Sequence, residues 1–156
     1  MEKKTKIHAE DNKHDLIITR EFDLPVELLF KAYEEPEIVA QWMGTKVIKL
    51  ESKKFGAWEF ETSDPNGNVV FKASGVIHDF VSNERIVRTF EMDHINFAPQ
   101  LEFLEFEKLS DESSKLTMQI IYKSIEHRAN QLKLPFAQGL NMAHNRLEEI
   151  VTKIKS

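Results

Sequence analysis

The chain has 156 residues, 41% apolar and 30% charged, with a formal net charge of −5, a profile of one folded, soluble domain rather than a disordered chain. That acidic balance excludes unspecific binding to a nucleic-acid backbone, which needs a basic face. The lack of cysteine excludes disulfides, thiol chemistry and thiolate metal sites, and no apolar run reaches the roughly 18 residues of a membrane span.

Residues 1–14 are polar and charged, without a secretory core, and read as a lead-in to a single domain over 15–156, with a cytoplasmic location expected. DLIITREFD, 15–23, is rich in β-formers and predicts a first strand. Pro25 opens a helical pattern in which Val26, Leu29, Phe30 and Tyr33 share a face. Pro36 interrupts it, and PEIVAQWMG continues as a second short helix that Gly44 stops. From residue 45 the period changes to two, and TKVIKLESK, FGAWEFETS, NVVFKASGVIHDF, ERIVRTFEMD, LEFLEFEKL and KLTMQIIYKS predict successive strands. DPNGN, SNE and SDESS are the tight connections, so neighbouring strands should be antiparallel. The chain closes on a long helix, where Phe136, Leu140, Ala143, Leu147, Ile150, Val151 and Ile154 form an apolar stripe that must lie on the sheet.

Side chains alternate along a strand, so the more apolar parity of each strand is its inner face. This selects Trp58 and Phe60, then Phe71, Ala73 and Ile77, then Ile86, Phe90 and Met92, then Leu116, Met118, Ile120 and Tyr122. In LEFLEFE the alternation is poor, and Leu104 with Phe106 is the chosen inner set. The same parity turns Arg88 inward, where a buried cation would need a carboxylate, a ligand anion or a carbonyl; a bulge or a guanidinium reaching the rim is the favoured alternative. Glu102, Glu105 and Glu107 read as a solvated acidic face that could also meet a basic partner.

Chemistry is sparse. The six histidines form no metal-binding helical pair, and neither a nucleophile elbow nor a phosphate-binding glycine loop occurs. No metal and no cofactor is expected, and no catalytic residue is assigned. His94, in the loop MDHINFAPQ, and Glu91 beside it are the candidates for acid–base work at a cavity rim, and His144 could graze a cavity from the last helix; the ordinary alternatives are a solvated loop histidine for His94 and a helix-flank histidine for His144.

The first strand followed by LPVELLFKAYEEPEIVAQWMG, the FGAWEF strand, the DPNGN turn, the SGVIHDFVSNERIVRTF pair and the final helix occur in an order that resembles the START/Bet v 1-like superfamily. Within it, the chain resembles the activator-of-heat-shock-protein-90-ATPase homologues over residues 15–155. The resemblance implies an α+β helix-grip fold of order β-α-α-β6-α, in which a curved antiparallel sheet grips the long helix. Three departures stand out: Trp42-Met43 where the family often has two aromatics, Phe55-Gly56 for a Gly-Gly pair, and Gly139-Leu140 for Gly-Trp.

Such folds usually hold an apolar cavity between sheet and helix, used for lipid-, polyketide- or flavonoid-like molecules. On that basis Trp42 and Met43 would close one end, and Trp58, Phe60, Phe71, Phe90, Met92, Met118, Ile120, Phe136 and Leu140 would line the walls. Arg88, Glu91, His94, Tyr122 and His144 would be its polar or rim groups. A filled core is the structural alternative, since buried Phe, Leu and Met are ordinary. Two rival functions follow from the family: a module that stimulates a chaperone ATPase, and a cyclase or hydrolase acting on an apolar substrate. The family's eukaryotic cochaperones carry a further N-terminal domain that the 14 residues before the first strand do not accommodate. The oligomeric state has no signature in the sequence.

Overall fold

The structure, a computed structural model, describes residues 4–92, 97–133 and 136–155. The elements run β1 (Lys6–His8), β2 (Asp15–Phe22), α1 (Val26–Glu34), α2 (Pro36–Met43), β3 (Lys46–Leu50), β4 (Ala57–Ser63), β5 (Val69–Val81), β6 (Arg85–Met92), β7 (Phe97–Ser110), β8 (Ser113–Ile121), α3 (Ile125–Lys133) and α4 (Phe136–Lys155). The strands form one antiparallel sheet in the order β1-β2-β8-β7-β6-β5-β4-β3.

The connections explain that order. After β2, the α1–α2 pair carries the chain to the far edge, and the meander from β3 returns strand by strand until β8 pairs with β2. The Pro25 carbonyl accepts the first N–H groups of α1, from Leu28 at 3.0 Å and Leu29 at 3.1 Å, and Pro36 starts α2 without losing a helical donor. Gly44 ends α2 in the left-handed region at φ 62°, where its lack of Cβ removes the steric penalty. In DPNGN the Asp64 carboxylate accepts from the N–H groups of Asn66 and Asn68 at 2.9 and 3.0 Å, which closes the β4–β5 hairpin.

The curved sheet and C-terminal helix agree with the helix-grip expectation, and two elements add to it. β1 rises from the polar lead-in: Ile7 pairs with Ile18, and the Thr5 N–H donates to Asn141 Oδ1 at 2.9 Å, so it is tertiary partners that hold three residues with no strand pattern of their own. α3 has little apolar surface; it starts on Ser124, whose hydroxyl accepts the His127 N–H at 3.1 Å, and is anchored by buried Arg128 donating to the Asp15 carbonyl at 2.8 Å. α4 is fully buried only toward its C-terminal half, at His144, Leu147 and Val151, against α1, α2 and the sheet. Phe136, Leu140 and Ala143 are half-buried, and Ile154, placed on the stripe by its spacing, is exposed.

Candidate functional site

The end of the sheet–helix space nearest α1 and α2 is solid. Phe30 packs edge-on against Phe80 and Phe106 at 5.3 and 4.9 Å between ring centres, and Tyr33 against Trp42 and Phe106 at 5.1 and 5.5 Å. Trp42 is buried in this cluster, and its indole N–H donates to the Ala32 carbonyl at 2.7 Å. Met43 is half-buried against the same core. Trp58 is buried on the sheet's inner face, its ring tilted against Phe60 at 4.7 Å and Phe90 at 5.5 Å between centres. Its N–H crosses Gly75 to reach the Thr89 carbonyl at 3.2 Å; a Cβ at Gly75 would collide with that carbonyl.

Under the half-buried part of α4 the space is open. A cleft of about 630 Å³ lies there, walled on the sheet side by Ile18, Phe71, Phe90, Met92, Met118 and Ile120. Phe136, Gly139, Leu140 and Ala143 of α4 form its roof, with Gln131 of α3 at the side. Thus Phe71, Phe90, Met92, Met118, Ile120, Phe136 and Leu140 of the expected lining come together around the cleft, whereas Trp42, Met43, Trp58 and Phe60 lie outside it. Gly139 is exposed, and a Cβ there would meet nothing within 4 Å.

Two polar side chains, Gln100 and Glu102, line the inner wall of this apolar space. Register explains them: Phe90 pairs with Gln100, Arg88 with Glu102 and Ile86 with Leu104, so the parity that buries Leu104 and Phe106 also buries Gln100 and Glu102. Glu102 therefore does not belong to the solvated acidic face with Glu105 and Glu107. Arg88 is buried rather than displaced to the rim, and its Nε donates to Glu102 Oε1 at 2.9 Å. The guanidinium lies 5.3 Å from the Trp58 ring centre. Gln100 Nε2 donates to the other carboxylate oxygen at 2.8 Å. Sequence reasoning missed this pair, although an inward Arg88 and an inward-parity Glu102 on adjacent strands were the available signal. The loop read over MDHINFAPQ is shorter than its composition suggests, and β7, beginning at Phe97, takes in Gln100.

The remaining candidates disperse. Glu91 is exposed, and His94 lies outside the described residues. Tyr122 is buried, and its hydroxyl has no hydrogen-bond partner among the described residues; burial first and the Glu102 charge second push its pKa upward, so it stays a neutral phenol. His144 does not line the cleft. Its ring is fully buried, edge-on to Phe22 at 5.6 Å, with Nδ1 2.6 Å from Thr5 Oγ1. Burial, reinforced by the nearby Arg20 charge, lowers its pKa to about 3. Arg20, also buried, donates to Asn145 Oδ1 at 2.8 Å and Asn141 Oδ1 at 3.3 Å, tying β2 to α4. Among the described residues no group of His, Asp and Glu is arranged to hold a metal, and no helix is long and apolar enough to cross a membrane.

Comparison with known proteins places this geometry. The fold matches a crystal structure of a protein from Rhodobacter sphaeroides with a TM-score of 0.84 at 18% identity, covering 96% of this chain and 99% of that one. A protein from Mycobacterium smegmatis matches with a TM-score of 0.82 at 16% identity over 93% and 94% of the two chains. One from Nitrosomonas europaea matches at 0.78 and 21% identity over 94% and 99%. A search of curated proteins gives no significant match. The family profile described as "Activator of Hsp90 ATPase homolog 1-like protein" matches residues 23–152, which run from the start of the α1–α2 pair nearly to the end of α4 and include every strand of the meander. A ligand-binding or cochaperone-like role is consistent with that match, and the chain belongs to the activator of Hsp90 ATPase homolog 1-like family.

Proposed function

We propose that the protein binds a small apolar or aromatic molecule in the cleft between the inner face of β6, β7 and β8 and the first half of α4. The observation that carries this reading is the cleft itself: about 630 Å³, walled mainly by Phe, Met, Ile and Leu side chains, with few polar groups. That volume lies in the range of small-molecule sites, which run from roughly 300 to 1,000 Å³. Burial of apolar surface supplies the affinity, at about 25 cal/mol per Å² before the costs of association.

The test uses Nile red, an uncharged apolar dye, followed by its emission and by the melting temperature of the protein. Wild type should bind saturably and melt higher with dye, because a ligand selective for the folded state stabilises it by mass action. Ala143→Phe, which puts a ring into the cleft, should weaken binding at least tenfold, an effect of about 1.4 kcal/mol. Trp42→Phe, at the closed end, should leave binding unchanged. Dye binding that is absent, or equal in wild type and Ala143→Phe, would overturn the proposal. In that event stimulation of a chaperone ATPase by the purified protein becomes the assay to run.

A further inference from the structure

We infer that the molecule taken by the cleft is uncharged and carries a hydrogen-bond donor, a hydroxyl or N–H, that is read by the side-chain oxygen of Gln100; this rests on the cleft being a small-molecule site. Gln100 lines the cleft and is only 6% exposed. Its amide orientation is set by Glu102: a carboxylate can only accept, so the Gln100 group 2.8 Å from Oε2 must be the NH₂. The amide oxygen then has no partner among the described residues. A buried acceptor without a donor is costly, and native proteins rarely leave one so. Gln100 lines the cleft, and a small turn of its amide about the Glu102 bond exposes the oxygen to it; a ligand donor then removes that cost, and a ligand lacking one leaves it in place.

The neighbouring charges decide what kind of head group fits. Glu102 is already engaged by Arg88, so the guanidinium is compensated inside the protein and does not stand as a free anchor for an anion. A carboxylate or phosphate head would instead approach two acceptors, Gln100 Oε1 and the Glu102 carboxylate, and would be repelled. Phe90 and Ile120 flank the two polar groups in register, so the rest of the ligand must be apolar. The chemical class is an aromatic or long-chain alcohol, a phenol, or a neutral N–H donor such as an amide or indole, rather than a fatty acid.

Two shape-matched series test this on the full chain by calorimetry: 2-naphthol, 2-methoxynaphthalene and 2-naphthoate, and 1-decanol, its methyl ether and decanoate. In wild type the alcohol of at least one series should bind roughly tenfold tighter than its ether, with the carboxylate weakest. Gln100→Leu, and Gln100→Met as a second variant of similar volume, should bring alcohol and ether to within about twofold by weakening the alcohol alone. Equal alcohol and ether affinities in wild type would overturn the inference while leaving the apolar site intact. A preference for the carboxylate would overturn it in favour of an anion site at Arg88. Failure of every compound to bind wild type would overturn both the inference and the site.

Discussion

At the scale of single residues, the buried Arg88–Glu102 pair has the most to say about stability. Both side chains are withdrawn from water, so each depends on the other, and Gln100 satisfies the second carboxylate oxygen. Glu102→Leu alone should destabilise the protein by about 3–5 kcal/mol, since it leaves a buried cation uncompensated. Arg88→Met combined with Glu102→Leu should recover most of that loss in urea unfolding; an equal loss in single and double variants would show that the two charges are not coupled. His144 gives a pH signature. Its pKa falls from 6.5 to about 3 on folding, so as pH drops below about 6.5 the unfolded chain takes up the proton first. The stability contributed by the neutral ring is therefore complete above that pH and is lost on the way down to about pH 3, at up to about 1.4 kcal/mol per pH unit. Unfolding curves of His144→Gln across this window should lack that component of the slope; a slope unchanged from wild type would mean that the ring already charges in the folded protein. Neither residue's role was readable from its neighbours in the chain. Arg88 shares a parity with Ile86 and Phe90, which places it inward, but its partner comes from the next strand and from Glu102, whose acidic neighbours pointed to solvent.

At the scale of elements, α4 divides into a packed half and a standing-off half. Leu147 and Val151 are buried in the half of α4 that packs in the core, with α1 and α2 against the helix, whereas Phe136 and Leu140 face the cleft. Gly139 sits in the standing-off half with open space where its Cβ would be. A helix-interior glycine costs about 0.5–1 kcal/mol relative to alanine. Gly139→Ala should accordingly raise stability by that amount and lift the melting temperature by a few degrees. A lowered melting temperature would mean that the helix needs the glycine's conformational freedom there. The 3.6-residue period located this helix well, because one continuous apolar stripe admits no other regular structure. The same pattern could not say that the stripe parts from the sheet halfway along, since that depends on where α2 and α3 hold the two ends. α3 and β1 escaped pattern reading for a related reason: each is polar and short, and is held by long-range bonds from Arg128 to Asp15 and from Thr5 to Asn141 rather than by its own periodicity.

Across the whole molecule, the closed aromatic end and the open cleft should differ in local stability. Leu16, Leu24, Leu29, Phe30, Leu104 and Leu147 are fully buried and tie β2, α1, β7 and α4 together. Their backbone amides should be the last to exchange hydrogen, and those of α3 and the first turns of α4 should exchange well before global unfolding. Uniform exchange along α4 would contradict the division described above. Apart from β1 and α3, the order of strands and helices was legible in the amino-acid sequence, as were the antiparallel meander, the long C-terminal helix and the inward parity of most strands. Those features follow from local rules: alternation on strands, a 3.6-residue stripe on helices, and proline, glycine and Asn-Gly at the joints. The cleft's position, the burial of Gln100 and Glu102, and the removal of Trp42 from the cleft to the solid core were settled by the fold. Each depends on which distant side chains share a volume, and a one-dimensional pattern records what a residue prefers but not how much space its neighbours leave.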